Sequence, residues 1–180
     1  MSADRYATFC AGRADRRDVA GKHVSMKTRC CVAGVAAALV SPTAGQAELP
    51  LAPFSIVVTA GVAAIPAPLT GRPGDPKEGG KVVAGRRLGN CLSCHQIDAL
   101  REEEFHGDFG PSLDGVAGRW DTGTLRMIVV NAKKVFGEET VMPAFYRVDG
   151  LNRVRPEFLG KPILTAQQVE DVVAFLATLK

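Results

Sequence analysis

Residues 91 to 95 read Cys-Leu-Ser-Cys-His, two thiols separated by two residues and followed at once by an imidazole. Three chemistries use these groups. A zinc site needs four ligands, and beyond residue 47 the chain offers only Cys91, Cys94, His95 and His106. A redox dithiol of the thioredoxin kind follows a strand and has no use for the histidine. The third chemistry uses all three residues, because C-x-x-C-H is the attachment pattern of c-type haem. On a helical turn, residues three and four apart share a face. Cys91 and Cys94 can then add to the two vinyl groups of one haem while His95 offers a ring nitrogen to its iron. The expected cofactor is one covalent haem c.

The sixth iron position has few claimants: Met127, Met142, His106, water, or nothing. Met127 stands among apolar residues at helical spacing and reads as core. His106, in Glu-Glu-Glu-Phe-His-Gly-Asp-Phe, reads as a surface-loop histidine. Met142 precedes Pro143, which restrains the chain in a turn, so Met142 is the expected second axial ligand. A histidine and methionine pair raises a haem's potential, which suits an electron carrier or acceptor.

These residues need elements to hold them. Asp75 followed by Pro76 is a helix start, with a side-chain cap and a proline at the first helical position. This helix is expected to run from Pro76 into the Cys91 segment. Thr165 and Gln168 make a capping box before Val169, Val172, Val173, Leu176 and Leu179 at helical spacing, which predicts a C-terminal helix. A third helix is expected over residues 124–135. The fold class is therefore all-α, with long loops whose sparse core a large apolar cofactor completes.

Residues 26–47 have the three parts of an export signal: Met26, Lys27 and Arg29, an apolar stretch from Cys31 to Val40, then small residues to Ala47. Export is expected, with cleavage leaving Glu48 first and translation starting at Met26 rather than including residues 1–25. Arg16 and Arg17 stand too far ahead of the apolar stretch for a twin-arginine signal. Residues 49–71 hold no charge, yet their prolines leave no run near the roughly 20 apolar residues a membrane span needs. Residues 48–74 are expected as an extended N-terminal arm with a short strand near Phe54 to Thr59, ahead of a domain over 75–180. The segment from Tyr146 to Pro162, mixing Leu151, Val154, Phe158 and Leu159 with Arg147, Arg153 and Arg155, is expected with the arm to form a partner surface. Residues 48–180 carry 15 Lys and Arg against 16 Asp and Glu, a balance that leaves no electrostatic footprint for nucleic acid.

The succession CLSCH, GPSLDGVAG, MPAF and a closing helix resembles the class I cytochrome c family over residues 75–180. The resemblance implies that Pro111 gives its carbonyl to His95, and that Arg119 and Trp120 stand near a haem propionate. IPAPLTGRPGD, GNCLSCH, VMPAFYRVDGLNRV and GKPILTAQQVEDVVAFLATLK are similar more narrowly to the SoxX family, monohaem subunits of SoxAX cytochromes in thiosulfate-oxidising bacteria. That resemblance implies a periplasmic heterodimer with a SoxA-like cytochrome, acting as L-cysteine S-thiosulfotransferase on a SoxYZ-like carrier and passing electrons to another cytochrome c. No catalytic residue is expected on this chain, since haem consumes both mature thiols. Glu102, Glu103 and Glu104 read as a solvated face. The alternatives are a freely diffusing carrier between respiratory complexes and a haem enzyme such as a peroxidase.

Overall fold

A computed structural model describes residues 51–180. The expectations for residues 1–47, and for Glu48 as first residue, lie outside the described residues.

The chain enters through a two-stranded antiparallel hairpin, β1 (Val57–Thr59) and β2 (Val62–Ala64), with Val57 opposite Ala64. Ala60 and Gly61 turn it in the left-handed region. The helices α1 (Pro76–Ala84), α2 (Val116–Arg119), α3 (Thr122–Asn131), α4 (Lys133–Phe136) and α5 (Ala166–Leu176) follow. Single 3-10 turns at Cys91–Ser93, Asp98–Leu100 and Pro156–Phe158 punctuate the loops. The expected all-α architecture stands, with the hairpin added.

Local chemistry explains the helix starts. Asp75 caps α1 by accepting from the Lys77 amide at 2.8 Å. Asp121 caps α3 with one oxygen accepting from Gly123 and Thr124 amides at 2.8 and 3.0 Å. Thr165 and Gln168 form the expected capping box of α5.

The core is built where α1 and α3 pack on α5. Gly79 makes the first crossing possible: a Cβ there would fall on the Asp171 carbonyl, so the two backbones meet at a distance only glycine allows. α3 is buried along nearly its whole length, from Gly123 to Asn131, which is the pattern of a central helix. It includes Met127, 1% exposed, in the core role its spacing predicts.

The α3 helix also carries a charge into this core. Arg126 Nε donates to Glu170 Oε1 at 2.8 Å, and Arg126 Nη2 to Glu170 Oε2 at 2.9 Å. Arg126 Nη1 donates to the Ile65 carbonyl at 2.7 Å, and Glu170 Oε1 accepts from the Leu69 amide at 2.9 Å. One fork thus joins α3, α5 and the segment after the hairpin. That segment is part of the core, with Ile65 and Leu69, beside Ala63 of β2, in the main apolar cluster. Tyr146 Oη accepts from the Ala52 amide at 2.8 Å, holding the arm's first described residues as well.

Candidate functional site

The helix expected to run into Cys91 stops early. α1 ends at Ala84, with Gly85 as its cap, and the chain turns back through Gly89 and Asn90. Asn90 adopts the left-handed conformation at φ 49°, which asparagine tolerates better than most residues. Cys91–Ser93 then forms a single 3-10 turn, with Cys94 and His95 amides both donating to the Cys91 carbonyl at 3.1 and 3.0 Å. This one turn does what the longer helix was expected to do, bringing both sulfurs and the imidazole to the same cavity.

The loop from Gly107 to Leu113 runs beside this turn and is fastened to it. Gly107 donates to the Leu92 carbonyl and Gly110 to the Cys94 carbonyl, each at 2.7 Å, and Leu113 to Gln96 at 3.0 Å. The Pro111 carbonyl stands 2.6 Å from His95 Nδ1. A carbonyl can only accept, so Nδ1 carries the proton and Nε2 keeps its lone pair. At Gly110 a Cβ would strike the imidazole ring. Glycine here lets the loop lie against His95.

Met142 comes from the strap between α4 and Tyr146. The strap is held to α3 by Phe145 and Tyr146 amides donating to Val129 and Val130, both at 3.2 Å, and Leu164 donates to the Phe145 carbonyl at 3.0 Å. Pro143 follows Met142 on the cavity wall.

Cys91, Cys94, His95, Pro111 and Met142 all face one cavity of about 1500 Å³, larger than the roughly 300–1,000 Å³ of ordinary ligand pockets. Its walls are mainly apolar, with Val116, Leu125, Val129, Phe145, Leu164 and Val172 among them. Burial foremost, with the neighbouring Cys94 adding to it, pushes the Cys91 thiol up to about 12 against a smaller lowering by a backbone hydrogen bond. Cys91 is only half-buried by surface because the cavity is its open side. A thiol held that high is almost wholly protonated at neutral pH, which disfavours a redox dithiol. No group of three or more His, Cys, Asp or Glu is gathered for a metal ion among the described residues.

Other candidates fall differently. His106 is a structural histidine rather than a loose one, its Nδ1 accepting from the Ile97 amide at 3.2 Å and its Nε2 donating to the Leu100 carbonyl at 3.1 Å. It does not line the cavity. Arg119 does, and donates to the Asp114 and Ser112 carbonyls at 2.7 and 2.8 Å. Trp120 lines it too and meets Phe136 edge-on, ring centres 6.0 Å apart. Glu102, Glu103 and Glu104 are exposed.

The segment expected as a partner surface divides between cavity and solvent. Arg147, Leu151, Val154, Arg155 and Phe158 line the cavity, and Tyr146 is 4% exposed. Leu151 and Leu159 are nevertheless 41% and 61% exposed. The basic residues of the cavity wall, with Arg86, Arg87 and Lys133, are scattered along the sequence and form no run that periodicity could reveal.

The donor set fits one prosthetic group. An apolar cavity holds two thiols, an imidazole with its Nε2 free and a thioether, and glycine replaces any side chain that would displace the imidazole. The cytochrome c family model matches residues 77–180, and the chain belongs to the cytochrome c family, whose members carry covalent haem c. A comparison with curated proteins gave no match. Among solved structures, the chain is similar to one in the crystal structure of SoxXA from P. pantotrophus, with 52% identity and a TM-score of 0.63 over 69% of this chain and 94% of that one. Within the family it is a monohaem electron-transfer cytochrome of the SoxX type.

Proposed function

We propose that this chain is the exported electron-transfer subunit of a SoxAX-like complex, with haem bonded to Cys91 and Cys94 and its iron between His95 and Met142. The observation that carries the reading is the convergence of those four residues on one apolar cavity. When bound, the haem supplies a one-electron couple whose iron the chain's own groups tune.

The Pro111 carbonyl fixes the tautomer and orientation of His95. The strap between α4 and Tyr146, tied to α3 at Val129 and Val130, limits how far the Met142 sulfur can move. Apolar walls exclude water and hold the local dielectric low, which favours the less charged state of the centre. Arg119, Arg147 and Arg155 on the cavity wall offer cations to the acidic edge of the group.

Joining thiosulfate to a carrier cysteine releases two electrons and one proton: RSH + S2O3(2−) gives RS–S–SO3(−), H(+) and 2 e(−). With both thiols committed, residues 48–180 offer no activated nucleophile for the sulfur transfer. The bond-forming group belongs on the SoxA-like partner, this chain receives the electrons, and another cytochrome c takes them away. Periplasmic residence follows from the export signal at 26–47, and among described residues no helix is long and apolar enough to cross a membrane.

Reconstitution tests the function. The holo chain alone with thiosulfate and a SoxYZ-like carrier is expected to remain oxidised, and to be reduced when the SoxA-like subunit is added. Competence without that subunit contradicts the proposal and favours a haem enzyme. Reduction by respiratory complexes with no association to the subunit favours a free carrier.

A further inference from the structure

The loop that carries Gly107 and Gly110 also turns two aromatic side chains outward: Phe105 is 75% exposed and Phe109 is 72% exposed. Neither lies on a loose segment. Between them Gly107 is bonded to Leu92 and His106 is clamped between Ile97 and Leu100, and just after Phe109 Gly110 is bonded to Cys94. The two rings therefore project from a shelf fixed to the Cys91–His95 turn.

Phe105 sits at φ 64°, a left-handed conformation that costs a bulky residue free energy and a glycine none. The ring stays mostly in solvent, so little burial offsets the strain. Strain that the fold offsets so little points to a role outside it. The Arg86 guanidinium lies over the Phe105 ring, 5.3 Å from its centre. Arg86 and Phe109 both line the cavity, so the exposed patch runs into its mouth. Glu102, Glu103 and Glu104 line one hollow with Phe105 and Arg86.

We propose that Phe105 and Phe109 are the anchors by which this chain docks the other subunit of a SoxXA-type complex, whose matching face is an apolar socket with a cationic border. The proposal rests on the subunit reading above and adds the face and its chemistry. Aromatic residues and arginine are enriched where interfaces hold their binding energy. Anchors already fixed lose little conformational freedom on association. The three glutamates select the occupant. They repel an anionic bilayer surface, and about a two-fold axis a second copy sets its own glutamates against them. A partner seated here also lies against the turn that bears Cys91 and Cys94.

The test uses the holo chain and the separately purified SoxA-like subunit, with affinity measured by titration calorimetry. Phe105→Gly removes the anchor and the strained conformation together. It is expected to weaken binding by about 30-fold, as a hot-spot aromatic does, while the haem spectrum is unchanged and the unfolding midpoint is equal or higher. Replacing Glu102, Glu103 and Glu104 by glutamine is expected to slow association about 10-fold at low salt and to flatten its salt dependence. Wild-type affinity in Phe105→Gly overturns the docking face and leaves the subunit reading intact. Absence of binding by the wild-type chain overturns the subunit reading itself. Dimerisation of the isolated chain that Phe105→Gly abolishes shows a second copy to be the occupant and overturns the assignment to a partner.

Discussion

Arg126 and Glu170 pair inside the protein with their side chains 6% and 3% exposed, 44 residues apart in the chain. The guanidinium spends its remaining reach on the Ile65 carbonyl, and the carboxylate accepts the Leu69 amide. The helices α3 and α5 and the segment after the hairpin therefore meet at this pair. Removing one partner leaves the other charge buried and uncompensated, which costs about 3–5 kcal/mol. Arg126→Ala is expected to lose that much in denaturant unfolding of the holo chain. Arg126→Lys is expected to recover only part, since an ammonium cannot reproduce the fork.

Two effects compete at Gly79. Alanine favours a helix interior over glycine by about 1 kcal/mol, but its Cβ meets the Asp171 carbonyl, a backbone atom that cannot rotate away. Overpacking of about 1–3 kcal/mol wins. Gly79→Ala is expected to lower the thermal midpoint, whereas Gly118→Ala, with open space around it, is expected to leave it unchanged or raise it.

Much of this frame is legible in the sequence because it is local. Asp75 with Pro76, Thr165 with Gln168, the apolar spacing around Met127 and the Cys91–His95 segment each lie within a turn or two of chain. What is not legible depends on distant partners. Gly85 is a helix-stop signal, but Arg86 and Arg87 after it suit a helix, so the stop does not stand out among the glycines of α1. His106 reads as a surface residue until Ile97 and Leu100 are placed beside it. The mixed composition of residues 147–158 does not say which of their side chains turn to the cavity and which to solvent, and only the path of the chain separates the two. Arg126 is hidden by its apolar neighbours, and Glu170 by the polar residues next to it.

Asp121 gives a pH-dependent contribution. Its oxygens accept from the Thr124 hydroxyl and from the Thr124 and Gly123 amides, and these bonds, the hydroxyl's foremost, hold its carboxyl below the usual range. A folded-state value lowered in this way stabilises the fold above the unfolded pKa of about 3.9. The contribution is lost as pH falls through the folded value. Asp121→Ala is expected to cost about 1 kcal/mol at pH 7, and less in a buffer acidic enough to protonate Asp121. Asp121→Asn is expected to cost less at neutrality and to flatten the acid limb. Urea midpoints across that range check both.

The account turns on Met142 as the second axial ligand, and absorption spectroscopy of the oxidised Met142→Ala protein tests it most directly. The account predicts that the sulfur-to-iron charge-transfer band disappears, that the iron takes up added imidazole or cyanide readily, and that the potential falls. Met127→Ala, a cavity change in the core costing about 2–5 kcal/mol, is predicted to keep the band and lose stability instead. A Met142→Ala protein that retains the band, with Met127→Ala losing it, contradicts the assignment.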